Sequence, residues 1–258
     1  MPLHNPPVVE VGIEFQLDPA PEKQRWDLPV AMPFVERFKE TMPHVEVVKS
    51  EKIRIEKRSP QGVPIELRGE INLNQVRAHD EGERQWLEVG EDRVAYRLLR
   101  GGKEYPGFDV VLESTLSVLR QYNQHFRPMA VRRAILTYMD IVKIPRAPGE
   151  GIDLDDYFRL GVRLPDDPFG ALGAFAIRFV LPPSPYSDRL QLAFSTEPGT
   201  EEESLRFRMR WQSLCDGINT LDEEELRNRL TAAQSHLVKC FLACFTERGL
   251  ALFDTTGS

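Results

Sequence analysis

The sequence predicts an α+β fold built from two tandem halves, each with the element order β-α-β-β-β-α. Three observations lead to this prediction. The run Val131–Ile144 is the longest strand-like stretch and is rich in β-branched and aromatic residues. Each half ends in a long amphipathic helix, and the order of elements repeats on either side of residue 128. We therefore expect halves at 1–128 and 129–258, or one continuous domain with a curved antiparallel sheet and both long helices on one face.

The first half opens with a strand at residues 8–17, where apolar and polar residues alternate. A short helix near 30–41 follows, with Pro33 suited to its first turn. Four further stretches have strand character, the last two forming a hairpin: 45–57, 69–78, 85–89 and 93–100. A helix over 107–126 closes the half, because its apolar residues recur at helical spacing.

The second half begins with the long strand and continues with a short helix that Asp153 can cap, running through Leu160. Three further strands are predicted at 174–181, 189–196 and 205–213. Thr220 and Glu223 form a capping box that opens the last helix. Gly249 is the predicted stop signal of that helix.

This arrangement of two halves resembles the TATA-box-binding-protein fold, and a pair of ferredoxin-like halves is the competing layout. The resemblance is one of architecture, so it implies a curved sheet backed by helices and no particular function.

Composition limits the classes of protein to which the chain can belong. A net charge of −7 and a pI near 5.4 argue against a duplex-DNA binder, since phosphate neutralisation needs a basic surface. No apolar run is long enough to span a bilayer, and the start lacks the features of a signal peptide. The three cysteines are expected to be reduced thiols in a cytoplasmic protein.

The candidate ligand-binding residues are polar side chains that alternate with apolar ones along predicted strands. The set comprises Arg206, Arg208, Arg210, Arg178, Arg97, Glu10 and Glu14. On one interpretation they form a solvated sheet face with cross-strand ion pairs. On the other, the arginines form a concave surface that holds phosphates or carboxylates by bidentate contacts. Both interpretations remain open from the sequence.

The sequence contains no nucleophile elbow, P-loop, dinucleotide-binding glycine motif or zinc-protease motif. The acidic stretch around His79 lacks a second histidine nearby, so we expect an ordinary solvated loop there. No catalytic residue, cofactor or metal is therefore predicted.

Four stretches in order carry a resemblance to a known family: NPPVVEVGIEF, YPGFDVVLESTLSVL, RRAILTYMDIVKIP and ERGLALF. They resemble the sporadically distributed bacterial proteins of about this length that have no assigned reaction. The patchy distribution of that family is similar to that of mobile, accessory or defence genes. The resemblance implies a conditional role and no site residues.

These observations favour a non-enzymatic binding or regulatory protein, such as a partner subunit in a bacterial accessory or defence system. One alternative is a small-molecule enzyme or sensor that binds an anionic ligand on the arginine-lined face. Another is a single-stranded nucleic-acid binder in which Tyr96 and Trp86 stack on bases beside the arginines. We expect a protein partner and no contact with a membrane. The sheet edges or the long helices could support a homodimer.

Overall fold

The computed structural model describes residues 6–18, 26, 28–56, 66–101, 105–146, 151–160, 174–197 and 204–253, and in 49–56 and 66–74 it describes the backbone only. The fold is α+β, with one large antiparallel sheet of nine strands and helices packed against it. This confirms the expected α+β class and the antiparallel sheet.

The strands are, in chain order, β1 (Val8–Asp18), β2 (His44–Glu56), β3 (Glu66–His79), β4 (Gln85–Gly90), β5 (Arg93–Leu99), β6 (Ala130–Pro145), β7 (Ala176–Leu181), β8 (Arg189–Glu197) and β9 (Ser204–Thr220). The helices of the described residues are α1 (Leu28–Val35), α2 (Phe108–Phe126), α3 (Glu223–Ala243) and α4 (Glu247–Ala251). Short 3-10 turns occupy Glu36–Phe38 and Leu154–Asp156.

The strand order across the sheet is β2-β3-β4-β5-β1-β6-β9-β8-β7. The first strand of each predicted half, β1 and β6, therefore lies in the middle of the sheet, and the two pair with each other from Val8–Asp140 to Asp18–Ala130. On its other side β6 pairs with β9 from Val131–Thr220 to Pro145–Ser204. One sheet thus joins the two parts of the chain.

The described helices pack on one face of this sheet, where most of the hydrophobic core lies. The predicted stripe of α2 is buried against β1 and β5, and α3 covers β6 and β9. Trp211 and Phe15 are among the largest fully buried side chains of the described residues. Burying a side chain of this size stabilises the folded chain by roughly 2–3 kcal/mol, so this layer supplies most of the driving force for folding.

The two long helices are joined on their solvent side by two arginine–carboxylate pairs. Arg120 donates to both oxygens of Glu223, at 2.7 and 2.5 Å. Arg227 makes the same two-pronged contact with Glu113. These contacts hold the pKa of Glu113 and of Glu223 below the usual range through the hydrogen bonds that the arginines donate. Exposed pairs of this kind fix geometry more than they add stability.

Five local predictions are wrong. The first half contains five strands, as its individual stretches indicate, rather than the four of the β-α-β-β-β-α order. The short strand expected at 69–78 is the 14-residue β3, which pairs with β2 along its length. Gly69 and the asparagines of β3 have low strand propensity, but pairing with a neighbouring strand overrides propensity. The helix expected at 30–41 ends at Val35 and continues only as a 3-10 turn.

Asp153 does act as a cap, accepting a hydrogen bond from the Asp155 backbone N–H, yet only a single 3-10 turn follows. The turn stops early because Phe158 forms a β-bridge with Phe245 and is buried.

Thr220 is not the N-cap of α3, as the predicted capping box required, because β9 extends through Thr220. The carboxylate of Asp222 instead accepts hydrogen bonds from the backbone N–H groups of Glu224 and Glu225, at 2.8 and 3.1 Å. Gly249 does not stop α3 but lies inside α4.

Candidate functional site

The sheet face opposite the helices, which we call the open face, carries the alternate residues of every strand. Glu10, Met139 and Arg210 lie side by side on it, in one row across β1, β6 and β9. The adjacent Tyr138 and Trp211 pair with each other in the next row and are buried beneath the helices. The alternation predicted for Arg206, Arg208 and Arg210 therefore matches the observed orientation.

On β3, β4 and β5 the open face carries a compact ion-pair network centred on Glu88. The side chain of Glu88 is only 5% exposed, although it lies on the uncovered side of the sheet. Three arginines approach its carboxylate: Arg77 Nε at 3.3 Å, Arg93 Nη2 at 3.4 Å and Arg97 Nη2 at 3.5 Å. The aliphatic stems of long side chains can cover such a group while their charged ends pair with it.

The predicted residues Glu10 and Glu14 belong to the same network. Glu14 accepts a hydrogen bond from Arg93 at 2.8 Å, and Glu10 lies 3.7 Å from Arg97 Nη1. Gly12, which lies between them on the open face, gives Arg97 room to cross, because a Cβ there would lie 2.9 Å from Arg97 Cγ. In this part of the face, cations and carboxylates balance one another.

The part of the open face formed by β6–β9 has a different charge balance. Among the described residues, seven cationic side chains project from these strands against two carboxylates, Glu197 and Asp216. The cations are Arg133, Lys143, Arg178, Arg189, Arg206, Arg208 and Arg210. Glu197 pairs with Arg208 at 2.5 Å, and Asp216 pairs with Arg133. We call this region the cationic face.

Arg210 lies near the middle of the cationic face and is exposed, with no carboxylate of the described residues within ion-pair distance. Ala193 separates it from Arg178, which donates to Gln191. Since adjacent strands are about 4.8 Å apart, the two arginine backbones are about 10 Å apart. The neighbouring β8 residues on this face, Ala193 and Ser195, have small side chains.

Between the charges of the cationic face lie the half-buried Ile135, Met139 and Ile141. None of the side chains that β6–β9 turn toward this face, within the described ranges, is aromatic.

The aromatic residues assigned to base stacking lie elsewhere, which corrects the sequence-based hypothesis. Tyr96 is buried on the helix side, with its hydroxyl 3.1 Å from Gln85 Oε1. Burial raises the pKa of that hydroxyl above its usual value. Trp86 is on the open face but stacks on His79 at 4.5 Å, on the neutralised side of the sheet.

A cavity of about 450 Å³ opens at one end of the cationic face. Its lining includes Arg100, Lys143 and Arg206 together with Glu197. Of the predicted residues, only Arg206 reaches this cavity.

A second cavity, which the sequence did not predict, lies on the helix side of β6; we call it the Asp140 pocket. It has a volume of about 290 Å³ and lies between β6, α2 and α3. Asp140 lines it, is 3% exposed, and has no hydrogen-bond or ion-pair partner among the described residues. The available signal was the aspartate itself, which interrupts the buried register of Leu136, Tyr138 and Val142.

No group of three or more His, Cys, Asp or Glu side chains in the described ranges is arranged to hold a metal ion. Of the helices that the structure describes, none combines the length and the apolar character that crossing a membrane requires.

No protein-family model matches this chain, and a comparison with curated protein sequences gives no significant match.

Proposed function

We propose that this protein is a binding module whose cationic face engages an acidic segment of a partner protein. The supporting observation is the excess of cations over carboxylates on β6–β9, in a chain whose net charge is −7. A cationic surface attracts an acidic segment locally even though the chain as a whole is acidic. Such complementarity sets the association rate and the choice of partner.

The neutralised region around Glu88 serves as an internal comparison. There the arginines stabilise the sheet itself by pairing with Glu10, Glu14 and Glu88. Within the triplet, Arg208 pairs with Glu197, whereas the exposed Arg210 has no carboxylate of the described residues within ion-pair distance. Arg210 therefore supports the interpretation of this part of the sheet as a surface that receives an anion. A carboxylate of the partner would neutralise arginines of the cationic face, as Glu88 neutralises the arginines around it.

The mixed character of the cationic face favours a protein over a nucleic acid. Sequence-tolerant binding of single strands uses aromatic side chains as stacking platforms, and the outward residues described on β6–β9 include none. Arginine and methionine with intervening aliphatic side chains are instead typical of the centres of protein interfaces. Met139 and Ile141 can be covered by apolar residues of an acidic segment while Arg208 and Arg210 pair with its carboxylates.

The test is a binding titration with fluorescein-labelled decaglutamate, followed by anisotropy at low and moderate salt. We expect binding that weakens as salt rises. The double variant Arg208→Glu/Arg210→Glu should lose at least about tenfold in affinity, because two attractive contacts become repulsive. The matched control is Arg229→Glu, which reverses an exposed charge on α3, on the opposite side of the sheet.

Three results would contradict the proposal: no salt-dependent binding, an equal loss in the Arg229→Glu control, or unchanged binding in the double variant. A parallel titration with oligothymidylate of equal charge separates the partner classes. Tighter binding of the oligonucleotide than of the peptide would replace the acidic protein with a single-stranded nucleic acid.

A second candidate function is favoured by the cavity beside Arg206. Its described lining contains three cationic side chains and one carboxylate, so it could hold a small di- or tricarboxylate. Citrate is the probe: the candidate predicts citrate binding that Arg206→Ala weakens and Arg208→Glu/Arg210→Glu leaves largely intact. Citrate binding that is insensitive to Arg206→Ala would exclude this cavity.

The arrangement of the strands supports the further proposal that the chain is an internal duplication similar to the TATA-box-binding-protein fold. Outward from the centre, one side runs β1, β5, β4, β3 and the other runs β6, β9, β8, β7. In each half the first strand is central, the last lies beside it, and a long helix follows that last strand. β2 is an addition to the first half. We also propose a cytoplasmic accessory or defence role, as the family resemblance implies.

A further inference from the structure

The Asp140 pocket contains a polar group whose burial the fold does not explain. A buried carboxyl group is normally matched by a hydrogen-bond donor or a cation, since burying it alone costs several kcal/mol. Asp140 is 3% exposed and has no such partner among the described residues. Its backbone pairs regularly with Met209 on β9 and lies in register with Val8 on β1, so the strand itself does not require a carboxylate there.

The pocket is formed by well-anchored elements. Pro6 and Pro7 form one wall: Arg100 donates to the carbonyl of Pro6 at 2.9 Å, and Ile141 N–H donates to that of Pro7 at 3.0 Å. The opposite wall is α3, which contributes Gln234 and Val238. Pockets formed between a sheet and packed helices in this way are common small-molecule sites.

The chemistry of the lining is that of a site for a cation with an apolar body. Among the described residues that line the pocket there is no lysine, arginine or histidine, and Asp140 is the one carboxylate. The other titratable groups in the lining are Tyr105 and Tyr138, whose hydroxyl oxygens are 3.3 Å apart. Their rings, with Phe108, can face a cation and surround a hydrocarbon or aryl group.

We propose that the Asp140 pocket binds a small organic amine, whose ammonium group pairs with the Asp140 carboxylate and whose apolar body fills the space toward Val238. The Tyr105 and Tyr138 hydroxyls and Gln234 are placed to accept the remaining ammonium hydrogens. The volume of about 290 Å³ is at the lower end of the usual range for ligand pockets, so the amine is small. This site lies on the opposite side of the sheet from the cationic face and does not depend on the function proposed for that face.

Burial raises the pKa of Asp140 to about 8, so before an amine binds this side chain is a neutral carboxylic acid at pH 7. Burial likewise raises the pKa of Tyr105 to about 12 and that of Tyr138 well above its usual value, so neither phenol ionises in this range. Binding of an ammonium ion then requires Asp140 to release its proton. Affinity should rise about tenfold per pH unit up to about pH 8 and level off above it.

The experiment is isothermal titration calorimetry of the full chain with 2-phenylethylamine, n-hexylamine and cyclohexylmethylamine, each paired with the alcohol of the same shape. We expect at least one amine to bind about tenfold or more tightly than its alcohol, as a charged hydrogen-bonded pair supplies. At pH 7 the binding heat should vary with the ionisation heat of the buffer, because a proton is released.

Two variants locate the binding. Asp140→Asn keeps the shape but not the charge, so it should abolish the preference for amine over alcohol. Val238→Trp fills the pocket from its partly exposed rim with Asp140 intact, and should weaken both members of each pair. If Asp140→Asn lowers the melting temperature too far to be assayed, Val238→Trp still tests the location.

The proposal is overturned if no amine binds more tightly than about 1 mM, or if each amine binds no better than its alcohol. It is also overturned if Val238→Trp leaves amine binding unchanged, or if the affinity does not increase between pH 6 and 8.

Discussion

The buried Asp140 should make the stability of the empty protein fall as pH rises. The folded chain keeps the proton of Asp140 until about pH 8, whereas the unfolded chain releases it near the ordinary value of 3.8. Unfolding at a pH between these two pKa values therefore releases a proton. The stability that the protonated carboxyl contributes is fully present below about pH 4. It is lost progressively as the pH rises from there through about 8.

The magnitude follows from the two pKa values. Between pH 5 and pH 9 their separation corresponds to a loss of about 4 kcal/mol in the free energy of unfolding, at about 1.4 kcal/mol per pKa unit. Stability of a typical domain is about 5–15 kcal/mol, so the effect is a large fraction of the total. Asp140→Asn, which cannot ionise, should show none of this loss.

The measurement is urea unfolding of the wild type and of Asp140→Asn at several pH values from 5 to 9. The difference between the two free energies isolates Asp140 from the other titrating groups. Asp109→Asn, which removes an exposed carboxyl on α2, is the control and should give a curve parallel to that of the wild type. A wild-type minus Asp140→Asn difference that changes by less than about 1 kcal/mol over this range would refute the reasoning.

Three further predictions concern packing and reactivity. Gly249→Ala should destabilise the protein by about 2–3 kcal/mol in urea unfolding, because the new Cβ would lie 2.2 Å from the carbonyl oxygen of Tyr157; a loss below about 0.5 kcal/mol would contradict the tight contact. Tyr122→Phe should cost about 1–2 kcal/mol, because the buried hydroxyl donates to the carbonyl of Gly90 at 2.9 Å; an unchanged melting temperature would show that this contact adds nothing. Burial raises the pKa of Cys215 to about 11, so peptide-resolved mass spectrometry should show that it alkylates at pH 8 about a hundredfold more slowly than glutathione; an equal rate would place the thiol at the surface.

Much of the fold could be predicted because its strongest elements have unambiguous periodicity. The alternation of β1 and the stripe of α2 each place apolar residues on one side, and the structure buries them there. The three arginines of β9 could be assigned to one face by the same reasoning, since period two admits only two orientations.

What the sequence could not supply were features that depend on which strands become neighbours. Arg97 is part of an ion pair because Glu88, on the adjacent strand β4, lies within reach of it. The pairing that decides this is tertiary, so periodicity within a single strand gives no information about it.

The enclosed position of the Asp140 carboxyl could not be predicted from the sequence, for a related reason. In the strand its position looks like one polar residue among several, and only the packing of α3 over β6 shows that its carboxyl is enclosed. The capping box at Thr220 failed because a local motif competed with the extension of β9, which removed Thr220 from the helix start.

The central place of β1 in the sheet has a consequence for how the chain is made. About 80 residues separate its end at Asp18 from the end of its neighbour β5 at Leu99. At synthesis rates of about 5–20 residues per second, the first strand leaves the ribosome roughly 4–16 s before that neighbour is complete. Its other neighbour, β6, ends later still, at Pro145. Val11, Ile13 and Phe15 thus remain unburied in the nascent chain, which makes this stretch a natural place for a chaperone to hold the polypeptide during translation.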